Sequence, residues 1–133
     1  MIVCIDTNIV IYSVERDPVW KPKVDGRFKA IVAAGDTLAA SDAARLECLV
    51  GPFQSGDAAV LADYLKFFGS AGIQMLPVTP AVWERAAKIR AVYKFRALDS
   101  IHLASAIEHG CGLFLTNDAP LKKCSDITVE LLT

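Results

Sequence analysis

Short apolar runs alternate with helical stretches along the chain, and no two of those runs are joined by a hairpin turn. No other feature constrains the fold as strongly. Consecutive strands without hairpins must return by crossovers, and crossovers within one sheet make it parallel. The runs are Ile2–Ile5, Thr37–Ala40, Ile73–Val78 and Leu113–Thr116, with Ile127–Leu131 as a fifth candidate. Between them the sequence predicts a helix over Asn8–Glu15, ended by Arg16-Asp17-Pro18, and another over Val24–Ala34, ended by Gly35. A third is expected after Ser41 as N-cap, closing at Gly51-Pro52, and a fourth over Asp57–Phe68. Two more are expected from Pro80 to about Tyr93 and from near Asp99 to Gly110. The prediction is a three-layer α/β/α fold with a mostly parallel central sheet, a single domain over residues 1–133.

Composition narrows the classes of function. A hydrophobic share of 53% with 22% charged residues excludes a disordered chain. Fourteen Lys and Arg stand against fifteen Asp and Glu, so the net charge of -1 excludes a globally basic coat but leaves room for a local basic face. No apolar run approaches the ~18–20 residues of a membrane span. Met1–Ile5 is interrupted at once by Asp6 and carries no basic leader, so the expected location is the cytoplasm. Cys4, Cys48, Cys111 and Cys124 form no CxxC pair and are expected to be buried thiols.

The acids are placed more pointedly. Ligands of open parallel sheets collect at the carboxyl ends of the strands. Asp6 directly follows the first predicted strand, and Asp118 follows the Leu113–Thr116 strand after Asn117. Either alone reads as a loop acid or a cap; both at equivalent positions weaken that reading. Glu47 lies among Ala43, Ala44 and Val50 on one helical face, where a carboxylate is costly unless compensated. Arg45, at i−2, does not share that face. Asp99 reads either as the N-cap of its helix or as a further site acid. His102, among Ile101, Leu103 and Ala106, reads as a packed side chain with a satisfied ring nitrogen. Ser100 and Ser105 lack a nucleophile elbow and a base, and Gly110-Cys111-Gly112 is no phosphate loop. Converging carboxylates repel one another unless a hard divalent cation joins them, and two such ions can clamp a phosphodiester displacement. The residues are thus compatible with metal-dependent phosphodiester hydrolysis.

Together, Asp6-Thr7-Asn8 after the first strand, Glu47 before Gly51-Pro52, Leu98-Asp99-Ser100-Ile101-His102-Leu103-Ala104-Ser105-Ala106, and Leu115-Thr116-Asn117-Asp118 resemble the PIN domain. The likeness is greatest to VapC-type toxins, the ribonuclease halves of toxin–antitoxin pairs, and it spans the chain with all four acidic motifs in family order. The resemblance implies a ribonuclease in which Asp6, Glu47, Asp99 and Asp118 bind Mg²⁺ or Mn²⁺. It implies in-line attack of an activated water on phosphorus, leaving 5′-phosphate and 3′-hydroxyl ends. Thr7, Asn8, Thr116 and Asn117 would then orient the carboxylates or the water. A homodimer and a cognate antitoxin that occludes the site are further implications. Two positions depart from the family pattern: Leu121, where an aromatic is frequent, and Ser100, where Ala is common.

For RNA contact, Arg85, Lys88, Arg90, Lys94 and Arg96 precede Asp99, opposed only by Glu84. Arg85 and Lys88 can share a helical face, and Arg96 is near the acids in sequence, so Arg85, Lys88 and Arg96 are the candidate phosphate contacts. Two rival readings are a catalytically silent scaffold of the same fold and a receiver-like signalling domain. The receiver would require an acidic neighbour for Asp6 and an Asp after the central strand, where Leu76-Pro77-Val78-Thr79 has none.

Overall fold

In a computed structural model describing residues 1–133, the chain runs β1 (Ile2–Ile5), α1 (Thr7–Val14), α2 (Lys21–Ala33), β2 (Thr37–Ser41), α3 (Ala43–Ser55) and α4 (Ala58–Phe68). It continues through β3 (Ile73–Leu76), α5 (Pro80–Tyr93), α6 (Ala97–Glu108), β4 (Leu113–Thr116), a 3₁₀ turn (Ala119–Lys123) and β5 (Val129–Leu131). Every strand pair is parallel, in the order β3-β2-β1-β4-β5. The chain direction of assembly reverses between β1 and β4, which makes the crevice above those two strands the topological switch point. Their register, with Val3 opposite Leu113 and Ile5 opposite Leu115, brings the residues that follow each strand to one edge.

Period-two alternation sorts the sheet side chains into two cores. Cys4, Ala39, Phe114 and Val129 face the layer of α5 and α6. Val3, Ile5, Ala40, Leu113 and Leu115 face the layer of α1 to α4. Phe114, Ile5, Ile9, Leu103 and Tyr64 are among the fully buried side chains. Of these, Phe114, Ile5, Ile9 and Leu103 each contribute roughly 1.5–3 kcal/mol of hydrophobic stabilisation relative to exposure. All four cysteines are free and buried, as expected. No helix is long and apolar enough to cross a membrane.

Three local expectations are corrected. Helix α3 does not close at Gly51-Pro52 but continues to Ser55, ending at Gly56 with φ 71°. A residue before proline normally avoids the α region because its Cβ meets the proline ring, and Gly51 has no Cβ. Ser41 belongs to β2 rather than to a helix terminus, although its hydroxyl still accepts a bond from the Ala43 amide at 3.2 Å. Asp99 is no N-cap: α6 begins at Ala97, with Arg96 in the cap position and no side-chain capping bond. Smaller shifts are the start of α2 at Lys21 and the end of β3 at Leu76.

Candidate active site

Asp6 leaves β1 as the N-cap of α1, its backbone N–H bonded to the Leu115 carbonyl of the neighbouring strand at 2.9 Å. Its carboxylate is 4% exposed and fully engaged. One oxygen accepts from the Thr7 amide at 2.8 Å and the other from the Thr116 hydroxyl at 2.7 Å. Burial pushes the Asp6 carboxyl above its usual range, and these bonds only partly oppose that. Thr116 Oγ1 in turn accepts from the Asp118 amide at 3.0 Å, which fixes the loop after β4 beside the loop after β1. Asn8 spans the same gap: its Oδ1 accepts from the Asn117 amide at 3.2 Å, and its Nδ2 lies 3.4 Å from Thr116 Oγ1. Asn117 Nδ2 donates to the Tyr12 hydroxyl at 2.9 Å.

Glu47 comes from α3 in one helical layer, and Asp99 and His102 come from α6 in the other. The two layers meet over the sheet edge. Glu47 Oε1 accepts from Thr7 Oγ1 at 2.8 Å and lies 2.5 Å from His102 Nε2. The bond from His102 holds the Glu47 carboxyl below the usual carboxylate range, against the opposing effect of burial. Asp99 is gripped by Arg96, whose Nε and Nη2 donate to the two carboxylate oxygens at 3.0 and 3.3 Å. Pairing with Asp99 raises the already high pKa of the Arg96 guanidinium. Asp6, Thr7, Asn8, Glu47, Arg96, Asp99 and Asp118, with Ile11 as the one apolar wall, line a pocket of about 180 Å³.

The four acids named from the sequence are therefore brought to one pocket, with Thr7 and Asn8 on its wall and Thr116 and Asn117 behind it. Of the basic candidates, Arg96 reaches the pocket. Arg85 is paired with Glu108 at 2.8 Å, and neither Arg85 nor Lys88 lines the site. His102 is packed, at 1% exposed, with one satisfied ring nitrogen, as expected; what the sequence did not show is that this nitrogen, Nε2, is bonded to Glu47 and Thr7, while Nδ1 is buried without a partner. Arg96 gives one of the acids, Asp99, a basic partner. The chain separation of 55 residues between Glu47 and His102 left no local signal for their pairing.

The donor set is suited to a hard divalent cation. Every acid on the pocket wall offers oxygen, and an ionised Asp6 at that depth calls for positive charge beside it. No three carboxylate, imidazole or thiol groups converge tightly enough to enclose an ion by themselves. Mg²⁺ is typically held by one or two carboxylates, with waters and substrate phosphates completing the octahedron.

The PIN domain family pattern matches residues 3–126. No curated protein matches the chain in sequence. Among solved structures, the chain is similar to a chain in the crystal structure of VapBC2 from Rickettsia felis bound to a DNA fragment from their promoter. That match has a TM-score of 0.83 at 17% identity over 100% of both chains. It is also similar to a chain of a toxin–antitoxin complex from Klebsiella pneumoniae, with a TM-score of 0.69 at 19% identity over 95% of each chain. A third similarity is to VapBC-5 from Mycobacterium tuberculosis, with a TM-score of 0.63 at 19% identity over 98% of this chain and 97% of that one.

Proposed function

Because the chain belongs to the PIN domain family, we propose that it is a metal-dependent ribonuclease, the toxin of a toxin–antitoxin pair, acting in the cytoplasm as one domain over residues 1–133. The observation that carries this reading is the gathering of Asp6, Glu47, Asp99 and Asp118, from four separate parts of the chain, into one pocket at the topological switch point. Asp6, Glu47, Asp99 and Asp118 would hold Mg²⁺ or Mn²⁺. When bound, the ion supplies a Lewis acid that neutralises phosphate charge and makes water more acidic.

The chain's own residues do the rest. Thr7 and Thr116 hold both oxygens of Asp6, so that this carboxylate is oriented before substrate arrives. Asn8 and Asn117 keep the β1 and β4 loops at a fixed separation, and with them Asp6 and Asp118. Arg96, exposed at the mouth, can exchange Asp99 for an RNA phosphate, offsetting repulsion between the acidic pocket and the polyanion. Arg85 and Lys88 would extend that attraction along α5.

Partner proteins belong to the same proposal. Leu46, Val50 and Phe53 recur at i, i+4 and i+7 on α3 and are exposed. Such a stripe on one helix face suits burial against another chain, either a second copy or an antitoxin.

The test incubates antitoxin-free protein with a defined RNA pool, comparing Mg²⁺ or Mn²⁺ with EDTA, and sequences the new ends. Cleavage confined to the metal-containing samples, with 5′-phosphate ends, is the expected result. Cleavage undiminished by EDTA, once contaminating nucleases are excluded, removes the metal-dependent reading.

A further inference from the structure

We propose that His102 is a positioning residue for Glu47, holding one oxygen of that carboxylate so that the other is left to serve the pocket. The proposal rests on the reading of Glu47 as an oxygen donor in metal-dependent RNA cleavage.

His102 is 1% exposed and does not line the pocket, so it meets neither solvent nor substrate. Its Nε2 lies 2.5 Å from Glu47 Oε1 and 3.1 Å from Thr7 Oγ1. The direction of these bonds follows from their partners. A carboxylate only accepts, and the single hydroxyl proton of Thr7 is given to Glu47 Oε1 at 2.8 Å. Both neighbours therefore require a hydrogen on Nε2. Two donors thus converge on Oε1, while Glu47 Oε2 has no protein partner.

The other face of the ring supports a role beyond packing. Nδ1 is buried with nothing bonded to it. An unpaired buried nitrogen destabilises a fold, and an aliphatic side chain would fill this space without that penalty. What an aliphatic side chain lacks is the Nε2–H. That bond also joins the two helical layers, since His102 stands on α6 and Glu47 on α3. Through Thr7, whose amide donates to Asp6 at 2.8 Å, the same cluster couples the orientation of Glu47 to that of Asp6.

The test compares the full-length wild-type chain with His102→Leu and His102→Gln. Leucine fills the site but cannot donate, whereas glutamine carries an amide N–H close to where Nε2 stands. Mn²⁺ binding without RNA is followed by the paramagnetic resonance signal of the free ion, alongside thermal melting and cleavage of the RNA pool. The expected His102→Leu protein is folded, binds Mn²⁺ about 10-fold more weakly or worse, and cleaves correspondingly more slowly, while His102→Gln recovers most of both. Should His102→Leu not fold, His102→Asn, whose amide is too short to reach Glu47, takes its place. A folded variant with wild-type Mn²⁺ affinity and cleavage overturns the role given to His102. Equal impairment of the leucine and glutamine variants also overturns it, because ring shape rather than the donated bond would then be what matters. A wild type that neither binds Mn²⁺ nor cleaves overturns the underlying reading of the site, and this inference with it.

Discussion

The two ends of the pocket treat their carboxylates differently. At the α3 end, Glu47 is bonded by Thr7 and by a histidine that is 1% exposed, inside the junction of the two helical layers. At the α6 end, Asp99 is bonded by Arg96, whose side chain is 77% exposed. The first arrangement is part of the packed interior and moves only if α3 and α6 move. The second joins a buried carboxylate to a guanidinium that stands in solvent, so the arginine can swing away without any movement of the helices. One end is therefore organised before substrate arrives, and the other is held by a cation that can be exchanged. Under the proposed function the pocket takes in both a metal and a polyanion, and that asymmetry suits it, since a cation fixed at both ends would compete with the metal for the carboxylates.

The strongest way to break this comparison is to remove the charge of the buried Asp6, which belongs to neither end. Asp6→Asn is expected to lose RNA cleavage by on the order of 100-fold or more, because Lewis-acid stabilisation of this kind amounts to several kcal/mol. The metal-free protein should remain folded within about 1 kcal/mol of wild type, as relief of a buried charge offsets the weakened bond from Thr116. Melts with EDTA and with excess Mn²⁺, beside the RNA assay, decide the matter. A folded Asp6→Asn protein with wild-type cleavage and an unchanged Mn²⁺ shift would take Asp6 out of the site.

Metal binding should appear in stability as well. At 100 times its dissociation constant, Mn²⁺ is expected to stabilise the wild type by about 2.7 kcal/mol. Glu47→Gln should show a clearly smaller shift at the same concentration. An identical shift in the two proteins would place the ion away from the α3 end.

Arg96→Gln probes the exchangeable end and should act in opposite directions on two ligands. Without the guanidinium competing for Asp99, Mn²⁺ should bind about 5-fold more tightly, the equivalent of ~1 kcal/mol. RNA should bind less tightly, with the salt dependence of log affinity flatter by ~0.7, as for one lost contact to a single strand. Titrations with each ligand at several salt concentrations measure both. Loss of Mn²⁺ affinity would instead show that Arg96 supports the site rather than competing for it.

The smallest effect is expected from Arg85→Glu with Lys88→Glu on α5. Arg85 already spends its charge on Glu108, and neither side chain lines the pocket. RNA affinity should fall only about 2–3-fold at low salt, by long-range attraction alone. A loss larger than that of Arg96→Gln would move the main RNA path from the pocket mouth to α5.

Much of this molecule was legible from local pattern. Ile2–Ile5 and Leu113–Thr116 are strands with the predicted bounds, because a short apolar run followed at once by a polar residue leaves little choice of state or length. Pro80 stands in the first turn of α5 as predicted, and the Thr79 hydroxyl caps the helix by accepting from the Val82 amide. The parallel sheet followed from the lack of hairpins, and the shared edge of Asp6 and Asp118 followed from that sheet. Gly51-Pro52 misled, since a proline stop signal is overridden when the preceding residue has no Cβ and the ring is buried against the core.

What only the tertiary structure decided are the partners of the acids and the strand order. Periodicity and capping act over three or four residues, so they state which face a side chain occupies but not what meets it there. Thr7 and Glu47 are 40 positions apart, Glu47 and His102 are 55, and Asp6 and Thr116 are 110. Contacts at such separations exist only once β1 has paired with β4 and both helical layers have closed over the sheet. The sequence by itself determined that Asp6 and Asp118 would stand at one edge; the closing of the layers brought Glu47 and Asp99 to them and decided that a buried histidine would hold the first and an exposed arginine the second.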